Sequence, residues 1–415
     1  MILLLLDYLK DIWGIKIPGV FVYYSTRMML ASMTSLLLSI FLGPYFIRKL
    51  YELKIGQSIR TDECPLLGKL HEKKQNTPTM GGGLILFSMV ISLFLWMDLH
   101  HVFTLILLFT TIFLGFIGGR DDYLKLKYKN TKGMSGKEKL FFQILLSVLV
   151  SSYFLVPAVS QTIHRGEWFT PPIIKESTSS RVLNSFEVKQ EAGVVPVSSN
   201  VPLQEYASRL YVPFLKDPVF TFTGTGLILI GLFMCFVITG ASNATNLTDG
   251  LDGLAAGCLV LTAGCLSLVA FVSNHLPVAR YLNILYVEGS GEIAIYLCAL
   301  VGACLGFLWY NGHPAQVFMG DTGSLTLGGI IGVSAVLLKK ELLFGIFAGV
   351  FVAEALSVIL QVASYRLRNK KRVFLCSPLH HHFEYKGWPE TKVVIRFWII
   401  GLLLAIIGIA SLKFQ

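Results

Sequence analysis

Charge is scarce in this sequence: 14% of its 415 residues are Asp, Glu, Lys or Arg, where a soluble domain carries about a quarter. So little polar surface excludes a large soluble core of buried helices. Paired cysteines are missing as well. Of seven cysteines, Cys235, Cys258, Cys265, Cys298 and Cys304 lie in apolar runs. Cys64 and Cys376 lie in loops, and no CxxC pair occurs, which leaves no disulfide framework and no cysteine zinc site. There is no Walker A loop, no GxGxxG following a strand and no GxSxG elbow. No internal repeat of the transporter kind is visible.

What is present is apolar. Hydrophobic residues make up 54% of the chain, and the mean hydropathy is +0.65. Repeated runs near 20 residues predict an all-α polytopic membrane protein, a single domain over 1–415 with about ten transmembrane helices. The runs are 22–46, 80–97, 102–118, 139–158, 222–242, 253–273, 291–310, 323–338, 342–363 and 393–412. The first 20 residues are amphiphilic and suit the interface. Arg27 in the first run, and the many runs after it, argue against a cleaved signal peptide.

The formal charge of +10 suggests nucleic acid only until its placement is read. Seven Lys/Arg fall in 48–76, seven in 119–139 and seven in 365–392, which the positive-inside rule assigns to the cytoplasm. No nucleic-acid partner is expected; anionic headgroups or an anionic substrate are. An even number of spans then puts both termini outside. The inward loops are 47–79, 119–138, 243–252, 311–322 and 364–392, and every unusual polar cluster falls in one of them. Residues 159–221 form an extended outward insertion, polar and charge-balanced, with six Lys/Arg against six Asp/Glu. Its "AGVVPVSSNVPL" suits either short strands or a mobile connection.

Four clusters carry chemistry. In "GGRDDYLK", Asp121 and Asp122 end the third run. Adjacent helical positions face different ways, so one acid would point into a cleft and the other into a structural network; a solvated helix-end pair is the plainer alternative. Lys125 lies four residues on, placed for an ion pair or a phosphate contact. "NATNLTDGLDG" spaces Asn243, Asn246, Asp249 and Asp252 by three, a slowly drifting stripe whose oxygens suit a hard cation, a sugar or a base. The competing reading is a helix cap and glycine turn, with Asp252 capping the next helix.

"FMGDTGSLTLGG" sets Asp321 among glycines ahead of an apolar run, where it suits Mg²⁺ beside a phosphate at the helix start, or simply an N-cap. Phe318 is a platform for a base or a core residue. In "SPLHHHFEYKGWPE", His380, His381 and His382 are consecutive, poor spacing for one metal and better suited to facing a pyrophosphate. Lys386, Trp388 and Glu390 beside them are supporting contacts or interfacial anchors. With Lys125 and Lys137, these groups suit Mg²⁺-assisted phosphoryl chemistry at a membrane-level cleft.

Six motifs, "NTPTMGG" (76–82), "DDYLK" (121–125), "TKGMSGKEK" (131–139), "NLTDGLDGL" (246–254), "FMGDTGSL" (318–325) and "PLHHHFEYKGWPE" (378–390), give a chain that resembles the polyprenyl-phosphate N-acetylhexosamine-1-phosphate transferases over nearly its whole length. The triple histidine followed by "KGW" is similar to the muramoyl-pentapeptide branch. The resemblance implies ten helices in a bacterial inner membrane, a cytoplasmic cleft and a homodimer. It implies transfer from UDP-MurNAc-pentapeptide to undecaprenyl phosphate with release of UMP, and Mg²⁺ as cofactor.

It further implies Asp321 as the Mg²⁺ ligand, Asp121 with Asp122 beside the lipid phosphate, and Phe318 near the uracil ring. Asn243, Asn246, Asp249 and Asp252 fall to substrate binding, as do Lys125 and Lys137. His380, His381 and His382 form the catalytic histidine block, and Thr79 lies in a conserved loop. Direct attack by the lipid phosphate and a covalent phospho-enzyme both fit. Gly119 and Arg120 ahead of the paired acids, and the length of 159–221, depart from the pattern.

Overall fold

Apolar runs of this length can satisfy their backbone hydrogen bonds in hydrocarbon only within helices. The structure, a computed structural model, describes residues 12, 19–53, 77–128, 133–165, 168–177 and 198–413. Most of the N-terminal interfacial stretch, and Cys64, lie outside these. A 3₁₀ turn at Gly19–Val22 leads into α1 (Tyr24–Glu52), α2 (Gly82–Trp96), α3 (Val102–Lys127) and α4 (Gly136–Leu155). The short elements α5 (Pro157–His164), β1 (Ile173–Ser177), β2 (Ser198–Asn200), α6 (Leu203–Ser208), β3 (Arg209–Leu210) and β4 (Phe220–Thr221) follow. Next come α7 (Gly226–Thr248), α8 (Leu254–Ser273), α9 (Leu276–Tyr281), β5 (Tyr286–Glu288), α10 (Ser290–Asn311) and α11 (Gly320–Leu337). The chain closes with α12 (Glu341–Phe347), α13 (Gly349–Leu367), α14 (Leu379–Tyr385) and α15 (Glu390–Ser411).

Among the described residues, nine helices are long and apolar enough to cross a membrane, and the fold is an all-α polytopic membrane bundle. The tenth expected run is α2, whose 15 residues reach only about 22 Å along the axis. Two boundaries shift in a way that matters. Helix α3 continues to Lys127 instead of stopping near 118, carrying Arg120, Asp121, Asp122 and Lys125 on regular turns. Helix α7 continues to Thr248, so Asn243 and Asn246 are helical.

Close packing comes from small residues. Helix α10 lies against α1, where Gly302 faces the Ser32 carbonyl and Gly306 faces that of Leu36. Helix α11, the most enclosed of the nine, uses Gly328 and Gly332 in the same way against Ala241 and Ile238 of α7. In lipid there is little hydrophobic drive between helices, and close backbone approach supplies the packing energy instead. A Cβ on Gly302 would sit on the Ser32 carbonyl oxygen. Gly302→Val is therefore expected to force α1 and α10 apart and cost at least about 2 kcal/mol. A thermal melt in detergent checks this; an unchanged midpoint would contradict the packing.

One end of the bundle is closed by structure alone. Arg27 is buried and pairs with Glu292 at 2.8 Å, and it donates Nε–H to the Trp96 carbonyl at 2.7 Å. Glu292 also accepts from the Asp98 N–H at 3.0 Å, so α1, α10 and the end of α2 are tied at one point. The described residues of the 159–221 insertion lie at this end and supply strands. β1 is the centre of an antiparallel sheet ordered β2-β1-β5, pairing Lys175 with Asn200 and with Tyr286. Tyr206 is fully buried and donates its hydroxyl to the Leu337 carbonyl at 3.1 Å. The other end gathers the polar loops.

Candidate active site

Five segments that are far apart in sequence meet at that second end. The loop ahead of α2 is sewn to the one ahead of α11 by the Phe318 N–H to the Pro78 carbonyl and the Gly81 N–H to the Phe318 carbonyl, both 2.8 Å. The end of α3 and the start of α4 join it through side chains, as do the end of α7 and the loop that follows. Asp252 N–H donates to Glu390 Oε1 at 2.7 Å, bringing in the start of α15.

The paired acids of α3 divide their work. Asp122 accepts from the Thr322 N–H at 2.9 Å, the Thr322 hydroxyl at 2.7 Å and the Asp321 N–H at 3.2 Å. It thus caps α11 and satisfies donors that would otherwise be orphaned. Asp121 turns the other way and is fully buried. It accepts from the Met134 N–H at 2.6 Å. The turn that delivers Met134 needs Gly133, whose φ is +54 and whose Cβ position is filled by the Asp121 carboxylate.

Two lysines bridge Asp121 to Asp321. Lys125 Nζ lies 2.7 Å from Asp121 Oδ2 and 3.1 Å from Asp321 Oδ2. Lys139 Nζ lies 2.9 Å and 2.6 Å from the same two atoms. Asn246 donates to Asp321 Oδ1 at 3.0 Å and to Ser324 Oγ at 2.8 Å. Of the three acids, Asp321 is the accessible one, at 13% side-chain exposure against 0% for Asp121.

Of the two lysines in "GKEK", the one that meets the acids is Lys139, not Lys137, to which the resemblance gives substrate binding. Ser135 and Glu138 form a capping box that starts α4. Two residues along a helix are about 200° apart, so Lys139 faces the acids while Lys137 is exposed. The signal was legible: Gln143, Leu146, Ser147 and Val150 are the buried face of α4, and stepping back four residues from Gln143 lands on Lys139.

The three-residue stripe fans out over different partners, because the step from Asn243 to Asn246 drifts about 60° around α7 and the chain has left the helix by Asp249. Asn243 donates to Gln143 Oε1 of α4 at 2.8 Å, a helix–helix contact away from the acids. Asn246 meets Asp321. Asp249 follows the last turn of α7, where burial, then the like charges of Asp321 and Asp122, push its carboxyl up to about 7. Asp252 is buried and accepts from His313 Nδ1 at 2.9 Å and the Ala315 N–H at 3.1 Å.

The histidine triplet separates too. His380 is fully buried with Nδ1 at 3.1 Å from the buried Glu354 carboxylate, and its Nε2 edge fills the space a Gly250 side chain would need. His381 Nδ1 meets Glu384 at 2.7 Å. His382 Nδ1 accepts from the Leu375 N–H at 3.1 Å. Phe318 is half-buried between the two sewn loops. Arg120 is exposed, and among the described residues it forms no salt bridge. Two further residues had no motif to flag them: Asn311, which accepts from Gly253 N–H at 3.0 Å and donates to the Val317 carbonyl at 2.8 Å, and His313.

Carboxylate oxygens of Asp121, Asp122 and Asp321 lie within 4.8 Å of one another. Such hard donors fit Mg²⁺ better than a softer metal. With Asp249 they outnumber the two lysines, so the set has negative charge to spare for a divalent ion. Asp321 is the member with access to hold it.

A polytopic helical bundle with a buried acid–lysine centre at one end suits phosphoryl chemistry at a membrane, and similarity to known proteins gives the class as a transferase. The profile described as Glycosyl transferase family 4 matches residues 194–339. The chain is 72% identical over 415 residues, 100% of both chains, to the phospho-N-acetylmuramoyl-pentapeptide-transferase of Protochlamydia amoebophila (strain UWE25). It is 45% identical over 395 residues, 95% of each chain, to that of Endomicrobium trichonymphae, and 42% identical over 396 residues, again 95% of each, to that of Koribacter versatilis (strain Ellin345). The chain belongs to the phospho-N-acetylmuramoyl-pentapeptide transferase family.

Proposed function

We propose that the chain transfers phospho-N-acetylmuramoyl-pentapeptide from UDP-MurNAc-pentapeptide to undecaprenyl phosphate, with Mg²⁺, to give the lipid-linked peptidoglycan intermediate and UMP. The observation that carries this reading is the meeting of Asp321 with Lys125, Lys139 and Asn246, in a chain 72% identical to a relative of that name. The site end faces the cytoplasm, where the nucleotide donor is available, and the inner membrane supplies the acceptor lipid. Both termini are then extracytoplasmic.

A phosphate oxygen of the carrier attacks the sugar-linked phosphorus. A new P–O bond forms, the pyrophosphate P–O bond breaks, and UMP departs with the bonding electrons. The carrier phosphate is already largely ionised near neutral pH, as phosphate monoesters are, so positioning counts for more than a strong general base. Asp321 would hold Mg²⁺, which when bound offsets charge on the pyrophosphate. Lys125 and Lys139 present ammonium groups to the same oxygens, and buried Asp121 keeps both lysines aimed. Asp122 sets where α11 begins and so where Asp321 stands. His380 supports the 249–253 loop at Gly250, and half-buried Phe318, beside the sewn loops, would lie near the uracil.

The test is a reconstitution with undecaprenyl phosphate, Mg²⁺ and either UDP-MurNAc-pentapeptide or UDP-GlcNAc, reading UMP release and the lipid product. Transfer is expected from the muramoyl donor alone, and chelation by EDTA is expected to stop it until Mg²⁺ is restored. Transfer only from UDP-GlcNAc would move the chain to the sister N-acetylglucosamine branch.

A further inference from the structure

The last helix begins in a cluster that has no part in the transfer steps proposed above. Trp388 stacks on Phe383, with ring centroids 4.6 Å apart and planes 19° from parallel. Arg396 lies over the Trp388 ring at 4.2 Å, and Lys392 at 5.5 Å. Lys386 lies over Phe383 at 5.9 Å. All three cations are exposed. The nearby acids are committed elsewhere, Glu384 to His381 and Glu390 to Asp252 and His313. Among the described residues no carboxylate forms a salt bridge to Lys386, Lys392 or Arg396.

The surface changes character one turn further on. Ile395, Ile399 and Ile400 of α15 are about half exposed, at 53%, 53% and 48%. Ile399 and Ile400 lie three and four residues from Arg396, on its side of the helix. A cationic collar thus sits directly above an apolar, outward-facing helix flank. On the other side, exposed Arg366, Arg368, Lys370, Lys371 and Arg372 continue the positive surface. Exposed Leu367 and Val373 are interleaved with them. That stretch is anchored to α14 by the Leu375 N–H to His382.

We propose that Lys386, Lys392 and Arg396, gathered round the stacked Phe383–Trp388 pair, form a headgroup site for an anionic phospholipid whose acyl chains lie along Ile395, Ile399 and Ile400. Guanidinium and ammonium donors suit a phosphate diester. The Trp ring, held by Phe383, fixes Arg396 at membrane level, where aromatic rings sit by preference. The apolar flank below accounts for a lipid in place of a soluble phosphate. This inference needs only the membrane-spanning fold and is independent of the transfer reaction.

Native mass spectrometry of the protein in neutral detergent, titrated with phosphatidylglycerol or phosphatidylcholine, reads the site directly. Wild type is expected to retain phosphatidylglycerol about tenfold more tightly, and K386Q/K392Q/R396Q to shrink that preference to within about twofold. R396Q alone is expected to remove about threefold, which keeps the test open if the triple variant fails to fold. No preference in the wild type would overturn the proposal, as would a preference that survives in the folded triple variant. The KM for undecaprenyl phosphate is expected to be unchanged. A several-fold rise in that KM, with phosphatidylglycerol retention intact, would assign the cations to the carrier lipid and also overturn the proposal.

Discussion

An Asp321→Asn chain is expected to insert and fold yet turn over roughly a thousandfold more slowly. The substitution keeps size and shape but removes the one accessible charge of the acid cluster. Oδ2 of Asp321 takes both Lys125 and Lys139 within 3.1 Å, so neutralising it loosens both ammonium groups and deprives a divalent cation of its exposed ligand. The start of α11 survives, because Asp122 still accepts from Thr322. Stability should therefore fall by only about 1–3 kcal/mol, the worth of charge-assisted hydrogen bonds. UMP release and a thermal melt on the same preparation separate the two effects. Turnover near the parent value at saturating Mg²⁺ would remove Asp321 from the role proposed for it.

The second large effect separates two lysines that sequence motifs alone do not distinguish. Lys139→Ala is expected to lower kcat by about a hundredfold or more, while Lys137→Ala stays within about twofold, as surface changes usually do. Lys139 touches Asp121 at 2.9 Å and Asp321 at 2.6 Å. Without it, a buried carboxylate loses half of its compensation, leaving Lys125 to hold both acids. Lys139→Arg is not expected to restore the rate, since a planar fork does not fit where one compact ammonium bridges two oxygens. Equal losses at 137 and 139, or the larger loss at 137, would show that α4 presents its other face to the acids.

The gap between those two lysines explains what a linear reading misses. Asp121, Asp122, Asn246, Asp249 and Asp321 were all flagged by motif, and these five do lie together. Asn243 and Lys137 came from the same motifs by the same logic, and they sit elsewhere. A helix turns about 100° per residue, so a motif names a neighbourhood but leaves its members' directions to helical phase. Where a phase marker existed, such as the capping box at Ser135 and Glu138, Lys139 was within reach. For the histidine triplet there was none. The Glu354 that receives His380 is 26 residues away on another helix.

The 159–221 insertion shows the limit from the other direction. Its polar, β-branched composition left strand and mobile connection equally open. One of the two partner strands of β1 is Tyr286–Glu288, more than 100 residues later, which no local pattern could name. In the same way, Arg27 was an oddity in an apolar run until Glu292 met it across the bundle.

Composition and hydropathy, then, sufficed for the membrane class, the approximate spans and the gathering of polar loops at one end. Hydrocarbon leaves the backbone little choice, and alternation of spans sorts every loop to one side or the other. Direction was decided only by the folded bundle: which acid caps α11 and which aims the lysines, which lysine arrives, and which histidine is buried. Those outcomes depend on where helices cross and how each is rotated, and that depends on contacts between residues the chain keeps far apart.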